Sequence, residues 1–366
     1  MRTASEQDLL TRIHVDGPLL GGVMVICAVG LVVLYSASSE SLDAVMRQAL
    51  RMLLGLVAMC SIAQFTPARL ARWAPLLYCI GLALLFAAFL VGTGRGAHRW
   101  LEFGAFRFQP SEIMKIAVPL TVAWFMSDKI LPPKLSTVMI VLVVIGVPTA
   151  LIAEQPDLGT AILVMTAGLL VLFFAGLSWR WIGVALAAAV VLAPIAWYSM
   201  HDYQRQRIET LLDPTKDPLG TGYHIIQATI AVGSGGVSGK GWLNGTQSHL
   251  EFLPERATDF IFAVYCEEFG LIGVLVLLAA YSLVLVRGFS IALNAQDNFG
   301  RLVAASLTFT FFVYIFVNMG MVTGQLPVVG VPLPLVSYGG TSVVTLLTGF
   351  GVLMSIQTHR RFIVKS

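Results

Sequence analysis

Long apolar segments alternate with short polar connections along almost the whole chain. The segments are apolar on all sides, and several reach or approach the ~20 residues with which a helix crosses a bilayer. An open sheet cannot span a membrane, and barrel strands would alternate apolar with polar residues. We therefore predict ten membrane-spanning helices, at 17–37, 46–65, 74–93, 110–127, 136–153, 158–177, 180–200, 259–286, 301–323 and 335–356.

Composition supports this assignment. Of the 366 residues, 57% are hydrophobic and 12% are charged, whereas soluble domains carry roughly 25% charged residues. We predict an all-α polytopic membrane protein that forms one domain over 1–366. No basic run suggests nucleic acid, and no Cys or His spacing suggests a metal site.

Lys and Arg set the orientation. They are more frequent in the short connections on the side of both chain ends, as at Arg69, Arg72 and Lys129. Because positive charge concentrates in cytoplasmic loops, we predict cytoplasmic termini. The large loop 201–258, between the seventh and eighth spans, then lies on the extracytoplasmic side.

This loop is the longest polar stretch of the chain. We expect a short amphipathic helix at 203–213, and an apolar helix at 222–232 that is too short to span and is therefore re-entrant or interfacial. The glycine-rich stretch 233–241, which contains Lys240, is either an anion-binding turn or a flexible turn.

Asp259 is the last residue before the eighth apolar run. As one helix, 259–286 would be about 42 Å long, more than the ~30 Å hydrocarbon core, so Asp259 should reach the outer interface. An Asp there either caps the helix or acts as a catalytic base. The residues alone leave both interpretations open.

Three other outer segments carry polar residues, including Arg99 and Asp157. Glu112 and Lys115 are three residues apart, so they share a helix face and can pair. A lysine one turn inside the membrane edge needs such a partner or a wet cavity. The pair is structural, or it contacts substrate, or both.

Several motifs together resemble the SEDS family (shape, elongation, division and sporulation). They are Gly-Arg-Gly-Ala-His-Arg-Trp at 94–100, Phe-Gln-Pro-Ser-Glu at 108–112, Gln-Pro-Asp-Leu-Gly-Thr-Ala at 155–161, Leu-Pro-Glu-Arg-Ala-Thr-Asp-Phe at 253–260 and Pro-Leu-Pro-Leu-Val-Ser-Tyr-Gly-Gly at 332–340. The resemblance covers nearly all of 15–360, and the stretch 245–256 is most similar to the elongation branch.

The resemblance implies a bacterial cytoplasmic (inner) membrane protein of ten spans. Its members are peptidoglycan glycosyltransferases that polymerise lipid II into β-1,4 glycan strands on the extracytoplasmic face, with undecaprenyl diphosphate leaving. The family's essential Asp matches Asp259, which we predict to be the general base. We assign substrate binding to Glu112, Lys115, Arg99, Lys240, Gln109, Asp157 and Ser337.

The resemblance also implies partners. These are lipid II, the nascent glycan strand, a class B penicillin-binding protein (a PBP2-like transpeptidase) and other elongation-complex membrane proteins. The sequence shows no DxD motif, so a divalent cation, Mg or Mn, would have to be held with the substrate diphosphate. Two alternatives are a lipid II flippase or transporter, and a non-catalytic scaffold for the transpeptidase.

Overall fold

The computed structural model describes residues 13–93, 99–103, 106–200, 202–217, 220–246 and 255–359. Twelve α-helices and two short strands lie within these ranges. They are α1 Gly17–Ala37, α2 Leu42–Ala63, α3 Pro67–Val91, β1 Leu101–Phe103, β2 Phe106–Phe108, α4 Ser111–Ser127, α5 Leu135–Glu154, α6 Leu158–Phe174, α7 Trp179–Ser199, α8 Asp202–Leu212, α9 Thr221–Ser234, α10 Ile261–Leu293, α11 Asn298–Val322 and α12 Thr341–Thr358.

A helix lies in each of the ten predicted spans, namely α1 to α7 and α10 to α12. Among the described residues, seven helices are long and apolar enough to cross a membrane: α1, α2, α3, α5, α10, α11 and α12. The helices α4 and α6 have 17 residues each. The chain is therefore a helical, polytopic membrane protein, whereas the count of ten spans stays a prediction.

Capping side chains mark where several helices begin. Asp16 accepts a hydrogen bond from the backbone N–H of Leu19 at 3.0 Å, which starts α1. Asp297 does the same for α11, with Gly300 as donor at 2.8 Å. Each carboxylate satisfies a donor that the first helical turn leaves unpaired.

The centre of the bundle is α4, which packs against α3, α6, α11 and α12. It buries most of its side chains, including Glu112 and Lys115. The outer helices instead expose large apolar side chains, such as Leu50 and Val57 of α2. An apolar exterior around a core with charged residues suits a protein whose solvent is lipid.

A small sheet departs from the predicted all-α fold. The strands β1 and β2 pair antiparallel, with Leu101 opposite Phe108 and Glu102 opposite Arg107. The Nε atom of Arg107 lies 2.8 Å from Oε1 of Glu102. These six residues alternate apolar with charged side chains, which is the period of a strand, but hydropathy averaged over a span does not detect so short an element.

The eighth span is not the single straight helix that the sequence predicts. Gly270 has φ 61° and ψ −161°, which breaks α10 into two segments. The turn after α9 fills the break: the N–H groups of Lys240 and Gly241 donate to the carbonyls of Glu267 and Glu268, each at 3.0 Å. Backbone groups freed by the break thus keep partners inside the membrane protein.

The same turn also accepts hydrogen bonds from below the break. The N–H of Leu271 donates to the carbonyl of Gly236 at 3.0 Å, and that of Ile272 to Val237 at 3.1 Å. The glycine-rich stretch therefore stabilises the break in α10 through backbone hydrogen bonds on both sides of it. Its N–H groups at 240 and 241 already donate to α10, which argues against an anion-binding turn, and the same hydrogen bonds argue against a flexible turn.

Candidate active site

Asp259 lies in the turn that precedes α10, and its side chain is partly buried. The N-cap position of α10 is Phe260, and no side chain caps the helix there. The capping interpretation of Asp259 therefore finds no support. The pKa of Asp259 is raised to about 6. Burial is the largest cause, the negative charge of Glu255 adds to the shift, and the positive charge of Arg207 opposes it.

Arg207 was not among the predicted site residues. It lies on α8, the amphipathic helix of the large loop, and its positive charge acts on the carboxyl of Asp259. The sequence predicts this helix but gives no signal for which of its charged residues faces Asp259. Arg207 and Asp259 are 52 residues apart in the sequence, and only the fold brings them near each other.

Glu112 and Lys115 form the predicted ion pair. The Nζ of Lys115 lies 2.7 Å from Oε1 of Glu112, and both side chains are buried. The ammonium also lies 5.5 Å from the ring centroid of Tyr314 on α11. Such a position over an aromatic face stabilises a cation, so Lys115 is held as a charged group.

A small cavity with a mostly apolar wall adjoins this pair. It measures about 40 Å³ and is lined by residues that include Glu112, Lys115, Thr310 and Tyr314. Oε2 of Glu112 and Oγ1 of Thr310 are buried and have no hydrogen-bond partner among the described residues. A space of this size with several polar atoms can hold a water molecule.

A larger apolar cavity, of about 300 Å³, opens beside Glu112 between α3, α4 and α12. Its wall is almost entirely hydrophobic, and the residues that line it include Trp73, Ile113, Leu120 and Val352. Glu112 lines both cavities. The arrangement places an apolar slot directly beside a buried ion pair.

Three further predicted residues come together at the corner between α5 and α6. The Nε2 of Gln109 donates to Oδ2 of Asp157 at 2.8 Å. The guanidinium of Arg99 donates to the carbonyl of Gln155 at 2.9 Å and also to that of Pro156. The oxygen Oδ1 of Asp157 additionally caps α6 through the N–H of Thr160 at 3.3 Å.

This corner lies against the loop that follows α11. A Cβ on Gly159 would come within 2.4 Å of the carbonyl oxygen of Val329, so only glycine allows this approach. The next residue, Gly330, has φ +73°, and a Cβ there would be 3.5 Å from Oδ2 of Asp259. The loop therefore connects the Gln109–Asp157 cluster with the carboxyl of Asp259.

Lys115 and Asp259 are linked through α11. Asn318 contacts the backbone carbonyl of Asp259 at 2.9 Å, and Tyr314, four residues earlier, contacts Lys115. Residues four apart share a helix face and are separated by about 6 Å along the axis. Lys115 thus lies about one helical turn deeper in the bundle than Asp259.

Two predicted substrate-binding residues are engaged elsewhere. The Nζ of Lys240 lies 2.7 Å from Oε1 of the buried Glu267 and 2.8 Å from Oγ1 of Thr246. Ser337 is buried, and its hydroxyl donates to the carbonyl of Thr258 at 2.6 Å. Both contacts support the fold around α10, and substrate binding by Lys240 and Ser337 stays a prediction.

Parts of two motifs lie outside the described residues. They are 247–254, in the motif before Asp259, and 94–98, in the motif Gly-Arg-Gly-Ala-His-Arg-Trp. Within the described part of the chain, no group of three or more His, Cys, Asp or Glu side chains could hold a metal ion.

Comparison with known proteins identifies the family. The sequence matches the model of the cell cycle protein family of FtsW, RodA and SpoVE over residues 17–362. The chain belongs to the FtsW/RodA/SpoVE family. This is the SEDS family that the motifs resemble, so that prediction is confirmed.

Relatives refine the assignment to the RodA branch. Peptidoglycan glycosyltransferase MrdB of Escherichia coli K12 is 54% identical over 357 residues, which cover 97% of this chain and 96% of MrdB. RodA, the rod shape determining protein of Thermus thermophilus, has a TM-score of 0.72 at 28% identity, covering 94% of this chain and 98% of that chain. The predicted enzyme class, a peptidoglycan glycosyltransferase, is confirmed by the first relative.

A third likeness concerns assembly. A chain from a peptidoglycan synthase complex, described as coordinating polymerization and crosslinking, has a TM-score of 0.83 at 31% identity. The likeness covers 94% of this chain and 99% of that chain. A relative of this fold therefore works within a complex that also crosslinks.

Proposed function

We propose that this RodA-like chain polymerises lipid II on the extracytoplasmic face of the bacterial cytoplasmic membrane, with Asp259 as general base. The observation that carries the proposal is the partly buried carboxyl of Asp259, which lies in the turn before α10 and beside Gly330. Burial contributes most to raising its pKa to about 6. A base works best when its pKa lies near the working pH. Asp259 has that property, and the buried cation of Lys115 lies about one helical turn deeper in the bundle.

The proposed reaction is a displacement with inversion. Asp259 removes the proton from the GlcNAc 4-hydroxyl of an incoming lipid II. The oxygen then attacks the anomeric carbon that carries the diphosphate at the end of the growing strand, forming a β-1,4 bond. The bond to the diphosphate oxygen breaks, and undecaprenyl diphosphate leaves with its electron pair.

The cations around the site suit the leaving group. Lys115 lies about one turn below Asp259, and Arg207 acts on Asp259 from α8. Fixed positive charge in a site shielded from water stabilises developing phosphate charge. Arg99 contributes less directly, because its guanidinium is held by the carbonyls of Gln155 and Pro156.

The apolar cavity beside Glu112 suits the polyprenyl part of the substrate. Its volume, about 300 Å³, accommodates a segment of a branched hydrocarbon chain. The diphosphate would then face Lys115 while the first isoprene units lie between α3 and α12. Gln109 and Asp157 border the sugar side in this arrangement.

We further propose ten spans with both termini cytoplasmic, and a complex with a class B penicillin-binding protein. The ten helices within the predicted spans and the distribution of Lys and Arg support the topology. The likeness to a chain of a synthase complex supports the partner. Mg or Mn would bind with the diphosphate, and no step above depends on it.

One experiment separates this proposal from its alternatives. The purified protein with its transpeptidase partner, in liposomes, receives fluorescent lipid II on the outer face, and glycan strands are resolved on a gel. We expect polymer without prior translocation. Translocation of lipid II without polymer would instead support a flippase, and normal cell shape in an Asp259→Ala strain would support a scaffold.

A further inference from the structure

The segment that carries Asp259 is held through three consecutive backbone carbonyls, each of which accepts a hydrogen bond from another part of the chain. The N–H of Tyr338 donates to the carbonyl of Ala257 at 2.8 Å. The hydroxyl of Ser337 donates to that of Thr258 at 2.6 Å. The amide of Asn318 donates to that of Asp259 at 2.9 Å.

None of these three donors belongs to α10, the helix that Asp259 precedes. Two come from the loop between α11 and α12, and the third comes from α11 itself. The position of Asp259 is therefore set by a part of the chain more than 50 residues away. Among the three donors, Asn318 contacts the backbone of Asp259 itself.

The amide of Asn318 uses both of its hydrogens on backbone. Nδ2 donates to the carbonyl of Asp259 at 2.9 Å and to that of Val331 at 2.7 Å. Asn318 is 0% exposed, and its Oδ1 has no hydrogen-bond partner among the described residues. A buried acceptor without a partner destabilises a fold, so this residue is a poor choice for stability alone.

One of the two carbonyls belongs to Asp259, and the other belongs to the residue after Gly330. A Cβ on Gly330 would lie 3.5 Å from Oδ2 of the Asp259 carboxyl. The Asn318 amide thus fixes the distance between the backbone of Asp259 and the loop wall against which its carboxyl lies. Because Asn318 is fully buried, it cannot contact substrate itself.

We propose that Asn318 is a positioning residue, whose amide joins the backbone of Asp259 to that of Val331 and so holds the carboxyl of Asp259 against Gly330. This inference rests on the proposed role of Asp259 as general base. A base must meet the hydroxyl proton at hydrogen-bond distance, and a displacement of about 1 Å can reduce a rate by roughly 100-fold.

The test compares Asn318→Leu with a matched control on the same helix. Leucine has the same number and branching of heavy side-chain atoms as asparagine, and it removes both donors. Ser306→Ala is the control, because the buried hydroxyl of Ser306 donates to the carbonyl of Ala167 at 2.7 Å and joins α11 to α6. Both substitutions remove a buried side-chain donor to a backbone carbonyl, but only Asn318 is next to Asp259.

The readouts are initial polymerisation rate at saturating lipid II, KM for lipid II, the pH profile and the folded fraction. For Asn318→Leu we expect a rate about 100-fold lower per folded molecule, with KM changed less than about threefold, because substrate binds to other residues. The pH midpoint should move down from about 6, because a detached carboxyl is better hydrated. For Ser306→Ala, the polymerisation rate per folded molecule, the KM and the pH midpoint should equal those of the wild type.

A second variant covers the case in which Asn318→Leu does not fold. Asn318→Thr retains one donor, which can reach one of the two carbonyls, so its rate should be intermediate. A rate per folded molecule and a pH midpoint equal to those of the wild type, in whichever variant folds, would overturn the positioning role. Retained polymerisation in Asp259→Asn would instead overturn the proposed base, so the two failures are distinguishable.

Discussion

The buried ion pair of α4 gives a quantitative prediction. Glu112 and Lys115 lie 2.7 Å apart, with 5% and 10% of their side chains exposed. Lys115→Met leaves Glu112 as a buried charge without its partner, which destabilises a protein by about 3–5 kcal/mol. We expect the double variant, with Glu112→Gln added, to recover most of that loss, because replacing both charges is often neutral.

The assay measures unfolding in detergent and lipid II polymerisation on the same preparations. Lys129→Met is the matched control. Lys129 is exposed just beyond the other end of α4, and its Nζ lies 5.1 Å from the ring centroid of Phe125. Its loss should cost about 1 kcal/mol at most. If Lys115→Met is as stable as this control, the reasoning about the buried pair is wrong.

The polymerisation rate of the same double variant distinguishes a structural role of the ion pair from a role of Lys115 in the reaction. Since Lys115 is proposed to face the diphosphate, the rate should stay low even where stability returns. Full recovery of polymerisation in the double variant would show that the pair is structural alone.

Further predictions concern the pH dependence and the break in α10. The polymerisation rate should fall as pH decreases through about 6, because Asp259 becomes protonated. Glu255→Gln should lower the pH midpoint of the rate, and Arg207→Gln should raise it. Rate–pH profiles between pH 4.5 and 8 measure both shifts. A midpoint that neither substitution moves would contradict the assigned electrostatics. Gly270→Ala should reduce the melting temperature and the folded yield. The Cβ of the alanine would lie 2.3 Å from the backbone nitrogen of Gly239, and residue 270 has φ +61°. Backbone strain of this kind costs about 1–3 kcal/mol. Gly146→Ala is the control, because no atom lies within 4 Å of its Cβ, and it should fold at wild-type yield. Equal yields from both variants would refute the requirement for glycine at position 270.

The sequence predicts the helices well because hydropathy and length report directly on the membrane. The pairing of Glu112 with Lys115 was also predictable, since a spacing of three residues places both on one face. Asp259 could be placed at a helix start from its position before an apolar run. These inferences depend on residues close together in the sequence.

Contacts between distant parts of the chain were not predictable in this way. The break at Gly270 depends on backbone hydrogen bonds from the turn at Gly236–Gly241, some 30 residues earlier. Lys240 was assigned to substrate because a lysine among glycines is typical of anion sites, whereas the structure pairs it with Glu267. Arg207 and Asn318 reach Asp259 through tertiary packing alone, and no local pattern marks either residue.

The central claim is that the carboxylate of Asp259 takes the proton from the attacking sugar hydroxyl. Its most direct test is the polymerisation rate of purified Asp259→Asn with lipid II at saturation, alongside a measurement of lipid II binding. General base catalysis contributes roughly 10²–10⁴-fold, so the account predicts a loss of that size at every pH, with lipid II binding retained. Polymerisation at a rate near that of the wild type would contradict it.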